Sequence, residues 1–290
     1  MAISESTRTV RASDGKAISV YRWQAASPVR GIVQIAHGMG EHALRYGPVA
    51  QALAGDGFTV YANDHRGHGK SASEAGELGD FGSQGFPGVV DDMVQVTRTA
   101  REEEGAKPLL LLGHSMGSFA AQLYVLDHSD LVDGVALSGS TALDLLGAAA
   151  ATGRWRLEDL NAAFAPARTP FDWLSRDPAE VDAYIADPLC GFNVNERSYG
   201  SLFSIASRLA DPSELGRIRK ELPLFVFAGD CDPVNAGLAW LQPLIDRYRE
   251  AGLKDVSSHI FGGARHEVLN ETNRSEVLAV LQAWINRVAA

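Results

Sequence analysis

The sequence predicts an α/β protein: a mostly parallel central sheet with helices on both faces. Three observations carry this expectation. Strands and helices alternate along most of the chain, four consecutive leucines at 109–112 suit a strand buried on both faces, and that run passes directly into Gly113-His114-Ser115-Met116-Gly117. The small-residue run Ser118-Phe119-Ala120-Ala121 then leads into a helix. A side chain on a sharp strand-to-helix turn adopts a strained backbone, and glycine on either side removes the Cβ atoms that would clash there. Such a turn lifts the Ser115 hydroxyl to the top of the sheet. The helix behind it aims unpaired N–H groups and the positive end of its dipole at the place where an oxyanion would form.

The other elements follow in order. Two β-rich stretches, 7–12 and 17–23, flank the tight-turn pair Asp14-Gly15 and read as an antiparallel hairpin at a sheet edge. Residues 31–36 form a short apolar strand running into His37-Gly38-Met39-Gly40-Glu41-His42, a glycine-spaced loop that can present a bare backbone N–H to a ligand. A helix is expected over 46–54, then a strand over 58–62 ending in Asn63-Asp64-His65-Arg66-Gly67-His68-Gly69. The next helix, 88–104, sets Val90, Met93, Val94, Val96 and Ala100 on or near one face. After the leucine strand and its helix comes a strand at 132–138. From 141 to 220 the strand rhythm stops, giving way to alanine-rich and amphipathic pieces that carry Trp155, Phe164, Phe171, Trp173, Tyr184, Phe192, Tyr199 and Phe203. This reads as a helical cap, 141–220, inserted into a core made of 1–140 and 221–290. The rhythm resumes with a strand at 222–228, a helix over 237–250, a strand over 256–261, and a last helix over 273–288 with Val277, Leu281, Trp284 and Val288 at helical spacing.

Composition narrows the function classes. The chain has 290 residues, 46% of them hydrophobic and 21% charged, enough for a substantial core and an enclosed pocket. Its 26 basic and 36 acidic residues give a formal charge of −10, and no run of lysine or arginine tracks a phosphate backbone, so no nucleic-acid partner is expected. Residues 1–16 lack an apolar signal-type core, and no segment approaches the uninterrupted length of about 20 apolar residues that spans a bilayer. A cytoplasmic protein is expected. Cys190 and Cys231 lie far apart without C-x-x-C spacing, which predicts two reduced thiols rather than a disulfide framework or zinc knuckle.

A serine hydroxyl is a poor nucleophile at neutral pH. It needs a base within hydrogen-bond reach and a carboxylate that fixes the base's tautomer. Downstream of Ser115, two strand ends supply candidates: Gly229-Asp230-Cys231-Asp232-Pro233-Val234, and Gly262-Gly263-Ala264-Arg265-His266-Glu267. Asp232 is preferred to Asp230 because the proline after it favours an extended backbone, whereas Asp230 sits closer to the sheet and braces the loop. His266, on a loop of small residues, is preferred to His259, which lies inside a strand. The loop histidines His37, His42, His65 and His68 show no H-E-x-x-H or H-x-H-x-D spacing, so no metal and no cofactor are expected. Asp64 and Arg66 should brace their loop. Asp91 and Asp92, adjacent on a helix, point about 100° apart and are assigned solvated or capping roles rather than a paired-carboxylate site.

These segments together, His37-Gly38-Met39-Gly40-Glu41-His42, Asp64-His65-Arg66-Gly67-His68-Gly69-Lys70-Ser71, Gly113-His114-Ser115-Met116-Gly117 and the Asp232 and His266 loops, resemble the α/β-hydrolase superfamily. Within it the chain resembles the monoacylglycerol lipase and lysophospholipase-like group over nearly its whole length. The resemblance implies Ser115 as nucleophile, Asp232 as acid and His266 as base, with the backbone N–H groups of Met39 and Met116 forming the oxyanion hole. Losing one such donor would raise the barrier by about 3 kcal/mol. An aromatic-rich insertion placed after a strand beside the nucleophile should fold over the site as a lid, so the expected substrate is a small or single-acyl-chain apolar ester, with transient lipid-surface contact through the cap. Fold and triad do not choose among ester, amide or peptide, carbon–carbon and haloperoxidase chemistry, and a pocket that binds without turnover is the alternative from another class.

Overall fold

The structure is a computed structural model and describes residues 3–26, 28–74, 76–154 and 156–290. The strands are β1 (Glu5–Arg11), β2 (Ala17–Trp23), β3 (Gly31–Ala36), β4 (Phe58–Asn63), β5 (Leu109–His114), β6 (Gly134–Ser138), β7 (Leu224–Gly229) and β8 (Val256–Phe261). They form one eight-stranded sheet in the order β1-β2-β4-β3-β5-β6-β7-β8. The β1–β2 and β2–β4 pairs are antiparallel and all others parallel. Flanking these are α1 (Gly47–Gly55), α2 (Gly85–Glu104), α3 (Met116–His128), α4 (Leu143–Ala151), α5 (Pro178–Ala186), α6 (Glu196–Ser204), α7 (Ala206–Ala210), α8 (Pro212–Leu215), α9 (Leu241–Glu250) and α10 (Arg274–Val288). Helices α4 to α8 all fall within the stretch expected to be a cap. Trp155, named there from sequence, lies outside the described residues.

The leucine run shows why the sheet is two-faced. Successive strand side chains point to opposite faces, so Leu109 and Leu111 pack with Met93, Tyr124 and Leu137, while Leu110 and Leu112 pack with Val33, Phe227 and Trp284 on the other side. Burying each leucine stabilises the fold by roughly 1.5–3 kcal/mol. Register then lines up the strand ends: Ala36 pairs with Gly113, His114 with Ser138, and Gly229 with Phe261. The residues that follow therefore leave along one rim. Because β3 leads to β4 on one side and pairs with β5 on the other, the crevice between the β3 and β5 carboxyl ends is the sheet's switch point, where ligands bind in open α/β sheets.

Two helix starts differ from the sequence reading by three residues or more. The helix expected from 237 starts at Leu241, because Ala236, Gly237 and Leu238 hold φ of 54°, 60° and 74° and cannot join a right-handed helix. Helix α2 begins at Gly85, earlier than expected, where Ser201 Oγ on α6 accepts a 2.9 Å bond from Phe86 N–H. That cap is tertiary and invisible locally. Asp92 is a correction of another kind: it is buried, not solvated, and grips the Arg66 guanidinium with two bonds of 2.8 Å, while Asp91 is exposed. One helical step turns Asp92 inward, and burial is tolerable because its charge is paired and bonded at both oxygens. Among the described residues no helix is long and apolar enough to cross a membrane.

Candidate active site

Ser115 sits between β5 and α3 with φ 51° and ψ −120°, a conformation that costs a non-glycine residue about 1–3 kcal/mol. The surroundings hold it there. Its N–H donates to Ser138 O at 2.9 Å, and its carbonyl accepts from Ser118 N–H and Phe119 N–H at 2.8 and 3.2 Å. Close approach explains the two glycines: a Cβ on Gly117 would lie 2.1 Å from Ala36 O, and one on Gly113 would lie 2.4 Å from Gly117 O. Sequence spacing anticipated this turn; the clash with the end of β3 is what only the fold reveals.

His266 Nδ1 lies 2.9 Å from Asp232 Oδ2, and both side chains are buried. The other Asp232 oxygen accepts from Val234 N–H at 2.8 Å, so the carboxylate is fixed on both sides. Asp230 instead accepts from Gly263 N–H at 2.7 Å and braces the loop. Burial alone would push the His266 imidazole down, but the bonded Asp232 carboxylate outweighs it and raises the ring's pKa above its ordinary value. With Nδ1–H given to Asp232, Nε2 is left as the acceptor. Backbone of the 141–220 stretch sets the ring in place: His266 N–H donates to Trp173 O at 3.4 Å, Glu267 N–H donates to Leu174 O at 2.8 Å, and the Trp173 ring packs 5.0 Å from the imidazole. Among the described residues the hydrogen bonds do not include one between Ser115 Oγ and His266, although both line the same cavity. Contacts of that kind tighten when substrate arrives.

The loop after β3 is held by groups that sequence reasoning passed over. Glu41 accepts from Gly38 N–H at 2.5 Å and from Tyr46 O–H at 2.9 Å, and Arg45 Nη1 donates to it at 2.6 Å. The same guanidinium grips Glu267 through bonds of 2.6 and 2.7 Å. All three are buried or nearly so. Burial raises the Glu41 carboxyl, whereas for Glu267 the two-pronged Arg45 contact overcomes burial and holds the carboxyl down at about 2. The i,i+4 spacing of Glu41 and Arg45 was readable; the third member, Glu267, comes from the far end of the chain. With Gly38 N–H engaged, the next amide on the loop is Met39 N–H, and Met39 and Met116 line the cavity beside Ser115.

Of the four histidines considered as metal ligands, three meet. His37 and His65 rings lie 4.2 Å apart and His37 and His68 5.1 Å, while His42 turns away to Asp187. Their nitrogens serve the backbone: His37 Nε2 accepts from His65 N–H at 2.9 Å and His68 Nε2 from Gly40 N–H at 3.2 Å. Burial, then the neighbouring imidazoles, push His37 well below its ordinary value and His65 to about 3; burial takes His68 to about 4, and burial with nearby His266 takes His114 to about 3. All four fold neutral, while the unfolded chain protonates them below about pH 6.5. Their contribution is complete above that pH and is lost as pH falls toward 4, each by up to about 1.4 kcal/mol per pH unit. Urea midpoints measured from pH 7 to pH 4 should therefore drop steeply below pH 6; a flat profile would contradict neutral burial.

Ser115, His266, Met39 and Met116 open on a cavity of about 770 Å³. Its walls are mostly apolar, from Phe119, Leu146, Leu202, Phe203 and Val234, with Glu41, Tyr184 and Glu267 clustered on the Met39 side. Trp173, Phe171, Phe192 and Tyr199 of the 141–220 stretch also line it, and Phe164 stacks under Arg265, 4.2 Å from its guanidinium.

A mostly parallel sheet with a strained serine between a central strand and its helix defines the molecule as an α/β-hydrolase, and solved structures agree. A thermostable carboxyl esterase from Bacillus coagulans, solved in complex with glycerol, superposes with a TM-score of 0.88 at 26% identity over 99% of both chains. A lipase in open form superposes at 0.82, also at 26% identity and 99% coverage of each. Residues 27–273 match the family described as serine aminopeptidase, S33, and the chain belongs to that family of hydrolases. A monoacylglycerol lipase of Mycolicibacterium smegmatis is 31% identical over 278 residues, covering 91% of this chain and 90% of the relative. The Mus musculus monoglyceride lipase is 28% identical, with coverage of 96% and 90%.

Proposed function

We propose that this chain is a carboxylic-ester hydrolase for single-acyl-chain apolar esters of the monoacylglycerol or lysophospholipid kind, acting through Ser115, His266 and Asp232. The observation that carries it is a strained serine on the wall of an apolar cavity shared with an imidazole whose far nitrogen is bonded to a buried carboxylate. Ser115 Oγ attacks the acyl carbonyl as His266 Nε2 takes its proton, and the Met39 and Met116 N–H groups receive the oxyanion. Collapse breaks the ester C–O bond, and the same proton passes to the leaving alcohol. Water then attacks the acyl-enzyme by the same route, His266 again taking and returning one proton, which frees the acid and restores Ser115. Asp232 stabilises the imidazolium formed in both halves.

Residues 141–220 act as the cap. They supply apolar wall and hold the His266 loop, and Leu157 and Ile185, both exposed on this stretch, are the groups available for transient contact with a lipid surface. In this reading the polar cluster of Glu41, Tyr184 and Glu267 on the cavity wall faces the hydroxylated alcohol portion. The names of the relatives support the same substrate class.

A hydrolysis panel tests this reading. Each methylene buried is worth about 0.8 kcal/mol, so kcat/KM should climb up to about fourfold per added carbon from acetate until the chain fills the cavity. A flat response to acyl length, or faster cleavage of the matching amides than of the esters, would overturn it.

A further inference from the structure

The cap turn Asp187-Pro188-Leu189-Cys190 meets the end of the Met39 loop, and three unlike side chains converge there. His42, Asp187 and Cys190 each offer one ligating atom, and these atoms lie within 4.8 Å of one another. His42 Nε2 and Asp187 Oδ2 are already 2.9 Å apart. We propose that these three side chains form a binding site for a zinc-like divalent cation, which clasps the cap turn to the loop carrying Met39.

Imidazole, carboxylate and thiolate are the ligand types that zinc takes, and mixed sets with a sulfur select it over magnesium or calcium. A tetrahedral ion with bonds of about 2.0–2.3 Å holds its ligand atoms roughly 3.3–3.7 Å apart, so small side-chain adjustments close the site. The frame around it is already set. Cys190 N–H donates to Asp187 O at 3.0 Å, closing the turn, and Asp187 Oδ1 accepts from Leu189 N–H at 2.8 Å, leaving Oδ2 to face His42. On the facing loop, Gly40 O accepts from Gly191 N–H and from Tyr184 O–H, both at 2.9 Å. Backbone on both sides is thus fixed before an ion arrives.

Charge and access fit as well. A carboxylate and a thiolate neutralise one divalent ion, so the occupied site carries no net charge beside Glu41, Glu267 and Arg45. Cys190 binds zinc as a thiolate, so the ion must displace its proton. The Asp187 side chain is 33% exposed, which gives the ion an entry and a water the fourth position. Sequence reading set both cysteines down as unrelated thiols because His42 and Cys190 are separated along the chain and meet only through the cap.

Cobalt(II) titrated anaerobically into the full chain reads the site directly. One equivalent should bind with a thiolate-to-cobalt charge-transfer band in the near ultraviolet, and zinc should displace it. Cys190→Ser should abolish the band, Asp187→Asn should weaken cobalt binding about tenfold or more, and Cys231→Ser should change neither. Zinc should raise the Tm of the parent and of Cys231→Ser, whose altered residue is exposed, but not of Cys190→Ser. Absence of the band in the parent protein, or a band that survives Cys190→Ser and disappears with Cys231→Ser, would overturn the site. None of these readouts uses ester turnover, so they fail or succeed apart from the proposed hydrolysis.

Discussion

Ser115→Ala should lower kcat for ester hydrolysis by roughly 10⁴–10⁶-fold, with KM changed little. In the proposed mechanism, removing Oγ deletes the attacking atom, while the cavity walls stay as they are. His266→Ala should cost a comparable factor, and the double variant scarcely more, if nucleophile and base act as one unit as proposed. Stability should move the other way for one replacement. Alanine keeps the Cβ and so keeps the strain of φ 51° and ψ −120°, but Ser115→Gly releases it and should raise unfolding free energy by about 1 kcal/mol. Steady-state kinetics with urea melts on both variants check this. Equal stability of Ala and Gly variants would show that the elbow is not strained.

The second large effect is expected at Arg45. Arg45→Met leaves Glu41 and Glu267 buried and facing each other without the cation that now bonds both. Breaking a buried pair by removing one partner costs about 3–5 kcal/mol, so a drop of that size in urea-derived stability at pH 7 is the expected result. Lower pH should recover part of it: Glu267, held low chiefly by Arg45, then takes up a proton at a higher pH than before. Adding Glu267→Leu should rescue much of the loss by removing one stranded carboxylate. Because Glu41 also holds Gly38 N–H, one residue before Met39, kcat should fall more than KM rises. A variant as stable as the parent at pH 7 would show that the network is not a working part of the loop.

Much of this architecture was legible in the chain. Periodicity and glycine placement located the strands, and the order of serine, aspartate and histidine at strand ends picked out residues that the fold carries to one rim. What escaped the reading was set by contacts between distant segments. Asp92 looks like any surface acid on a helix until Arg66 is brought beneath it. Glu267 is a neighbour of His266 in sequence, yet its purpose depends on Arg45, more than two hundred residues earlier. The start of α2 depends on Ser201 of α6, and the late start of α9 on three left-handed residues, only one of them a glycine. Local propensity has no term for any of these.

The central claim is that His266 activates Ser115 inside the folded cavity. Reaction of the native protein with a fluorophosphonate, followed by peptide mass spectrometry, measures it most directly. Stoichiometric labelling at Ser115, lost in His266→Ala and lost on unfolding, is the predicted result. Native protein that stays unlabelled, or that labels at the same rate with and without the imidazole, would contradict it.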